Sequence, residues 1–405
     1  MAVVRHAASG PVAGAERMDV LDAVRGAALL GILLVNVFAF GGFVLMPPPP
    51  APDPLEGTLY FLVAFLLEGK FYALFSFLFG VGFAVFVRRA AARGADAARL
   101  FRRRLTGLLL IGLAHTIFIW MGDILVIYAL LGFALLPFLA RDDRSVLRWA
   151  GAMLLLPIPL YALLVAAAAV AGAPPDEAGP DGPMPAILME AVNGFATGSY
   201  ADVVRGNVIF TLAQLARRFL LMFFPRVFGM FLLGFYVGRR GMFADLCAHH
   251  ALLRRVLVCG TVVGLPFSLA GALLEGLAPG LPSLSGLLET TLKTIGMPAL
   301  SLGYAAGLCL LFERAARLRR SFAAAGQMAL TNYLLQSVAG IAIFYGLGFG
   351  LFGRVPLAVA LGGSVVFFVL QMIASRAWLA HARFGPAEWA WRMFTYRRRV
   401  PLLRR

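Results

Sequence analysis

Long apolar runs separated by short polar stretches dominate this chain. Because a helix needs roughly 20 apolar residues to cross about 30 Å of hydrocarbon, we predict about ten transmembrane helices, with a range of roughly 9 to 11. The predicted spans are residues 24–45, 59–87, 105–120, 123–140, 148–171, 219–238, 255–275, 288–312, 322–346 and 355–377. The predicted fold class is therefore all-α, a polytopic membrane helix bundle that forms a single domain over residues 1–405.

Basic residues collect between the spans in a regular order. The basic clusters are residues 88–104, 141–148, 239–255, 314–320 and the tail 393–405. With ten spans, every cluster falls on the side of the N terminus, and cytoplasmic segments are the ones that carry an excess of Lys and Arg. We therefore predict cytoplasmic N and C termini and a basic cytoplasmic tail. Residues 1–16 are small and polar, so we expect a flexible N-terminal segment with no cleaved signal peptide.

Composition supports a membrane protein and removes several other classes. The chain is 61% hydrophobic and 14% charged, with a net charge of +16. That charge would suggest nucleic-acid binding in a soluble protein, but here it lies between apolar spans, so we reject nucleic acid as a partner. The three cysteines show no CxxC spacing and predict neither a disulfide framework nor a metal site. Walker, HExxH and GxSxG motifs are absent from the sequence, which argues against ATPase and serine hydrolase chemistry.

Two ionisable residues stand inside the apolar stretch "LAHTIFIWMGDILVIYAL" (113–130), namely His115 and Asp123. On one continuous helix, eight residues would separate them by about 12 Å, so a contact requires a turn at Gly122. Histidine is suited to general-base work, and a carboxylate can orient it. Alternatively, Asp123 caps the next helix and His115 hydrogen-bonds a neighbouring helix. The sequence leaves both interpretations open.

Other polar residues lie within or beside the spans. Glu68 and Lys70 are two residues apart around a glycine, which favours irregular backbone lining a cavity over a mutual salt bridge. Asn332 and Gln336 share one helix face and either link helices or line a substrate path. Residues 186–218 predict either an amphipathic surface helix or part of a tilted span.

Arginines supply candidate sites for anions at both ends of the bundle. Arg25 follows Asp19 and Asp22 at the inner entrance to the first span, where an interfacial ion pair and an anionic-ligand site are alternatives. Arg217 and Arg218 are placed on the outer side, where they either bind an anionic group or anchor the chain at the interface. The tryptophans of the tail motif "GPAEWAWRMFTY" are typical of an interfacial belt.

Five motifs taken together resemble one family. They are "LDAVRGAALLGILLVN", "GKFYALFSFLFGVGFA", "RRRLTGLLLIGLAHTIFIWMGDILVIYALLGFALLP", "GQMALTNYLLQS" and "GPAEWAWRMFTY". In this order they resemble the YeiB-like bacterial membrane proteins, a family of unknown function, although Gln327 stands where arginine is expected. That family is similar in layout to the transmembrane acyltransferases, which include the heparan-glucosaminide acetyltransferase.

The resemblance implies an acyltransferase of the bacterial inner membrane, with acyl-CoA or acetyl-CoA as a cytoplasmic donor and an extracytoplasmic glycan, lipid or small-molecule acceptor. His115 is the implied catalytic base, in a cavity reachable from outside, with Asp123 orienting it. We expect Arg25 and at least one of Arg102, Arg103 and Arg104 to hold the donor's phosphates. Glu68, Lys70, Asn332, Gln336, Arg217 and Arg218 are candidates for the substrate path. No metal is expected, and a second copy of the chain is a candidate partner.

Two rival functions fit the same residues. A proton-coupled transporter of an anionic or small polar solute would use His115 and Glu68 as proton carriers and the outer arginines to bind the solute. A noncatalytic membrane scaffold would use its buried polar groups only to join helices.

The first prediction concerns topology. Because the basic clusters mark the cytoplasmic side, we expect residues 46–58, 172–186 and 276–287 to be extracytoplasmic and residues 88–104 to be cytoplasmic. Single cysteines introduced into these ranges should react with a membrane-impermeant maleimide in intact cells only in the first three. Labelling of the 88–104 range from outside would overturn the orientation.

Overall fold

The computed structural model describes residues 19–46, 53–171, 184–216, 219–243, 246–275 and 282–404. The predicted flexible segment 1–16 and the candidate residues Arg217 and Arg218 lie outside the described residues. Within the described ranges the chain is helical, and its extended pairing is limited to an isolated bridge between Ala382 and Leu403.

The helices follow one another with short connections. They are α1 (Asp19–Phe40), α2 (Pro54–Leu66), α3 (Lys70–Ala92), α4 (Ala97–Phe118), α5 (Leu125–Leu135), α6 (Asp143–Leu155), α7 (Pro157–Val170), α8 (Ala186–Thr197), α9 (Tyr200–Ala216), α10 (Phe219–Arg239), α11 (His250–Glu275), α12 (Leu284–Arg314), α13 (Ala316–Gln327), α14 (Ala329–Phe344), α15 (Leu357–His381) and α16 (Pro386–Tyr396).

The all-α membrane fold class is confirmed. In the described part of the chain, six helical segments are long and apolar enough to cross a membrane. They are Asp19–Phe40, Pro54–Ala92, Asp143–Val170, His250–Glu275, Leu284–Arg314 and Leu357–His381. Two further predicted spans correspond to shorter apolar helices, Leu125–Ala140 and Ala329–Phe344. Arginines occupy the first turns of α4, so its apolar part, residues 105–118, is shorter than a full span.

Three predicted continuous spans are broken in the structure. Gly69 separates α2 from α3 with a φ of +79°, a conformation that favours glycine. Pro157 begins α7 directly after α6, consistent with its missing N–H being tolerated at a helix start. Met328 interrupts the span 322–346 between α13 and α14 with a non-helical backbone.

The ambiguous stretch 186–218 contains two helices rather than one. The Asp202 carboxylate accepts hydrogen bonds from the Ser199 N–H and hydroxyl, both at 2.7 Å, and so caps the start of α9. The α8–α9 hairpin then packs against the end of α4, where the Tyr200 hydroxyl donates to the Phe118 carbonyl at 2.8 Å. Its Phe195 ring lies 5.0 Å from the Tyr345 ring. The hairpin therefore covers the end of the bundle at which α4 turns into α5, which we call the far end.

Glycines allow helix backbones to approach closely. A Cβ atom built on Gly326 of α13 would lie 1.8 Å from the Asp22 carbonyl oxygen of α1. One built on Gly234 of α10 would lie 1.9 Å from the Phe77 carbonyl oxygen of α3. Small residues promote helix association in membranes because lipid supplies no hydrophobic drive between helices. These contacts hold α1 and α3, which later prove to line the main cavity.

The C-terminal segment folds against the other end of the bundle, where α3 ends and α4 begins, which we call the basic end. The predicted tail 393–405 begins inside α16, and its described part returns along the end of α15. The Arg383 N–H donates to the Leu402 carbonyl and the Arg404 N–H to the His381 carbonyl, both at 2.8 Å. The Trp389 indole donates to the Val400 carbonyl at 2.7 Å. This part of the tail is therefore ordered against α15 and α16.

The second prediction tests the close helix contact. Gly326→Ala should lower stability by about 1–3 kcal/mol, because the new methyl group meets backbone that cannot move alone. The matched control is Gly363→Ala in α15, where nothing lies within 4 Å of the added carbon. Thermal unfolding of the detergent-purified variants measures the difference. Equal melting temperatures for the two variants would contradict the close approach.

Candidate functional site

His115 and Asp123 are in direct contact. Helix α4 ends at Phe118, the chain turns, and α5 starts at Leu125. The turn brings His115 Nδ1 to 2.9 Å from Asp123 Oδ1, and both side chains are only 1% exposed. The turn that the spacing required therefore exists, and the two residues form a buried pair.

The Asp123 carboxylate has a second partner. Its Oδ2 accepts a hydrogen bond from the Val126 N–H at 2.8 Å, in the first turn of α5. The two interpretations left open by the sequence are thus both realised for this residue, because Asp123 caps a helix and also holds the imidazole. Since a carboxylate oxygen accepts, His115 Nδ1 carries a proton, and the neutral ring has its lone pair on Nε2.

Asn207 of α9 fixes the same turn. Its side chain is fully buried. Its Oδ1 accepts from the Met121 N–H at 3.1 Å, and its Nδ2 donates to the Ile117 carbonyl at 3.2 Å. Sequence reasoning missed this residue because Asn207 lies more than 80 positions from the turn. An asparagine within the apolar run "GNVIF" was the available signal.

The other ring nitrogen, His115 Nε2, is buried without a hydrogen-bond partner among the described residues. The Tyr333 ring lies 5.2 Å from the imidazole and the Trp120 ring 6.5 Å, measured between centroids. The Tyr333 hydroxyl donates to the Gly122 carbonyl at 3.3 Å. The imidazole is thus enclosed by aromatic rings, with an unpartnered nitrogen.

A cavity of about 310 Å³ runs from the basic end toward this pair. At the basic end it is lined by the arginines Arg25, Arg89, Arg93, Arg104 and Arg392. Its middle is apolar, with Leu29, Phe79 and Leu108 among the lining residues. It reaches Ile124 and Tyr333, which belong to the surroundings of His115. His115 itself does not line it, so the expectation that the imidazole faces an accessible cavity is not met in this closed arrangement, in which Tyr333 lies between the two.

Of the predicted donor-site arginines, Arg25 and Arg104 line the cavity. Arg102 is exposed, and neither it nor Arg103 lines the cavity, since successive helical positions turn away by about 100°. Arg25 Nη1 also pairs with Asp22 Oδ1 at 2.8 Å, so the ion pair that the sequence offered as an alternative is present beside the cavity. Arg89, Arg93 and Arg392 were not singled out from the sequence, because nothing in their spacing separates cavity-lining arginines from other basic residues.

Glu68 and Lys70 do not line this cavity. Lys70 Nζ donates to the Ala64 carbonyl at 2.7 Å, across the break at Gly69. Glu68 interacts electrostatically with a separate ionic group centred on Lys293. Lys293 Nζ lies 3.0 Å from Glu275 and 2.7 Å from Glu289. The irregular backbone expected here is present, while the charges belong to a second polar region.

Asn332 and Gln336 bind α15. The Gln336 amide donates to Gln371 Oε1 at 2.9 Å, and the Gln371 amide donates to the Asn332 carbonyl at 3.0 Å. Asn332 Nδ2 donates to Ser375 Oγ at 2.9 Å. These contacts match the helix-linking interpretation, and neither residue lines the cavity.

The third prediction concerns Asp123. Asp123→Ala leaves His115 Nδ1 and the Val126 N–H unpaired in a buried site, where each lost partner costs about 1–3 kcal/mol. The matched control is Asp96→Ala, since Asp96 caps α4 through Arg99 N–H at 2.9 Å but is exposed. The control should lose about 1 kcal/mol. Thermal unfolding in detergent should rank Asp123→Ala well below Asp96→Ala, and the reverse order would refute the bridging role.

Comparison with known proteins places the chain in a family. Residues 237–398 match the family model described as "Protein of unknown function (DUF418)". The uncharacterised protein YxaH of Bacillus subtilis is 31% identical over 94% of each chain. An uncharacterised 39.9 kDa protein from the amylase 3′ region of Bacillus acidopullulyticus is 33% identical over 97% of this chain and 98% of its own. The uncharacterised protein YeiB of Escherichia coli is 30% identical over 96% and 98%. The chain therefore belongs to the YeiB-like family of bacterial membrane proteins.

Proposed function

We propose that this protein is an acyl-CoA-dependent acyltransferase of the bacterial inner membrane. It moves an acyl group, most simply acetyl, from the cytoplasm to a hydroxyl or amine on an extracytoplasmic glycan, lipid or small molecule. One observation carries the proposal: an arginine-lined cavity leads through an apolar passage to Tyr333, whose ring lies against a histidine–aspartate pair.

The cavity suits the donor in charge and in polarity. Guanidinium groups at the basic end match phosphate oxygens, for which Arg forms planar, charge-assisted hydrogen bonds. The apolar middle matches the arm that carries the thioester. From Arg104 to His115, eleven residues of α4 rise about 16 Å, a distance that an extended pantetheine arm can cover.

His115 supplies the base. With Nδ1 bonded to Asp123, the imidazole accepts the proton of the acceptor's hydroxyl or amine at Nε2. The acceptor oxygen or nitrogen then bonds to the thioester carbonyl carbon, the carbon–sulfur bond breaks, and the proton passes from Nε2 to the leaving thiolate. Asp123 stabilises the imidazolium formed between these steps, as carboxylates do in other acyl-transfer sites.

Tyr333 must move for the two substrates to meet. It both lines the cavity and lies against the imidazole, and its long hydrogen bond to Gly122 is the polar contact that holds its hydroxyl. Rotation of this ring away from His115 would connect the cavity to Nε2. The proposal therefore includes an open state in which Tyr333 has turned aside.

A proton-coupled transporter is the second candidate. The ionic group of Glu68, Lys293, Glu275 and Glu289 favours it, because ionisable side chains within membrane helices often mark ion pathways. In this alternative His115 and Glu68 carry protons. The two residues belong to different groups, each with its own partners, so the transporter needs a connection between them that the transferase does not.

The fourth prediction separates these functions. In inverted membrane vesicles supplied with radiolabelled acetyl-CoA, the parental protein should transfer label to envelope material inside the vesicle. His115→Gln should lower that rate by about 10² to 10⁴, since glutamine keeps hydrogen-bonding capacity but cannot serve as the base. Donor binding and expression should be unchanged.

The matched control is His250→Gln. His250 pairs with Glu313 at 2.6 Å at the ends of α11 and α12, away from the cavity, and its replacement should leave transfer unaffected. A near-parental rate for His115→Gln would exclude the catalytic role. Vesicles that move protons with a solute and transfer no label would favour the transporter.

A further inference from the structure

Helix α16 forms one wall of the cavity at its basic end. Its lining residues are Glu388, Trp391, Arg392 and Tyr396, with Phe384 just before the helix. The sequence interpretation placed these tryptophans in an interfacial belt, and the proposed mechanism does not use the helix. Its position instead makes it part of the cavity mouth that faces the predicted cytoplasmic side.

Two arginines at this mouth are stacked on aromatic rings. The Arg104 guanidinium carbon lies 3.8 Å from the centroid of the Trp391 ring, and that of Arg392 lies 4.5 Å from the centroid of the Phe384 ring. Stacking fixes the plane of a guanidinium and directs its N–H groups sideways, where phosphate oxygens can accept from them. One arginine comes from α4 and the other from α16, so the two helices together can hold a phosphate group.

The position of α16 is fixed by buried hydrogen bonds. Glu388 accepts from the Leu330 N–H at 2.7 Å and from the Thr331 hydroxyl at 2.6 Å, at the start of α14. The Trp391 indole donates to the Arg104 carbonyl at 2.7 Å. Gly107 makes room for this ring, since a Cβ there would lie 2.9 Å from Trp391 Cδ1. The stacked arginines therefore belong to a rigid subsite rather than to a loose tail.

The charge at the mouth calls for more than one phosphate. Five arginines line the cavity, while the acidic residues that line it are Asp22, which pairs with Arg25, and Glu388, which bonds α14. Aromatic planes stand directly beside these arginines. A ligand that combines several phosphates with a flat ring, namely a nucleotide, satisfies both features, whereas a lipid headgroup would use the charges alone.

We infer that Arg104, Trp391, Arg392 and Tyr396 form a nucleotide subsite that binds the adenosine phosphate end of the donor. This rests on the proposed function for the identity of the donor, and it adds a specificity. The protein selects thioesters of CoA over thioesters borne on pantetheine alone or on a carrier protein. Helix α16 is the element that makes this selection.

The fifth prediction measures nucleotide binding by the full-length protein in detergent, with adenosine 3′,5′-bisphosphate as the probe and isothermal titration as the readout. Arg104→Gln should weaken binding about tenfold to a hundredfold, since a charge-assisted contact is lost. Arg102→Gln is the matched control on the same helix, because Arg102 is exposed and does not line the cavity. If Arg104→Gln fails to fold, Arg104→Lys keeps the charge without the planar fork and should still weaken binding.

Equal losses in the Arg104 and Arg102 variants would overturn the subsite, because only general charge would then be at work. Displacement of the probe by phosphatidylglycerol vesicles, but not by CoA, would overturn it in favour of a lipid headgroup. In the vesicle assay, the parental protein should use acetyl-CoA at least tenfold better than S-acetylpantetheine. Equal use of the two donors would refute the subsite and leave acyl transfer standing. Arg104-dependent binding of the bisphosphate without any label transfer would support the subsite and refute the transferase.

Discussion

The buried carboxylate of Asp123 is the constraint on which the far half of the bundle depends. A charged group among membrane helices is costly unless protein donors replace water. Asp123 obtains two such donors from different elements, the His115 imidazole of α4 and the Val126 N–H of α5. Meeting both fixes the turn between these helices, and with it the Gly122 carbonyl that accepts from Tyr333. One pair of contacts therefore sets the imidazole tautomer, the helix hairpin and the position of the ring that closes the cavity.

Close backbone packing explains how a bundle so rich in large side chains still contains a cavity. Gly326 lets α13 approach α1, and Gly234 lets α10 approach α3, so these helices are held by contacts on one side. Their opposite sides are then free to diverge around the cavity. Gly82 of α3 continues this theme, since a Cβ there would lie 2.9 Å from the Arg25 guanidinium. A glycine thus leaves space for a charge at the cavity mouth, which links the packing of the helices to the placement of the arginines.

The sequence predicted those features that depend on local spacing. Apolar run length identified the helical membrane class, and the eight-residue interval between His115 and Asp123 required the turn that the structure contains. The arginine run 102–104 pointed to the right helix, but only the helical phase in the folded bundle selects Arg104 for the cavity. Asn207 and Arg392 reach the site from distant segments, so no local pattern marks them. The breaks at Gly69 and Pro157 involve residue types that favour breaks, yet hydropathy alone extends across both.

Transfer and transport place different demands on a membrane site. A transporter must expose one binding site to each side in turn, which requires large parts of the bundle to exchange positions. A transferase needs only two approaches that meet at a reactive group. Here the cavity from the basic end stops at Tyr333, the α8–α9 hairpin covers the far end, and the imidazole lies between them. The fixed hydrogen bonds of Asn207 hold this region rigid. Rotation of a single ring could join the donor side to His115, whereas alternating access would have to break the contacts that position it, so the geometry favours transfer.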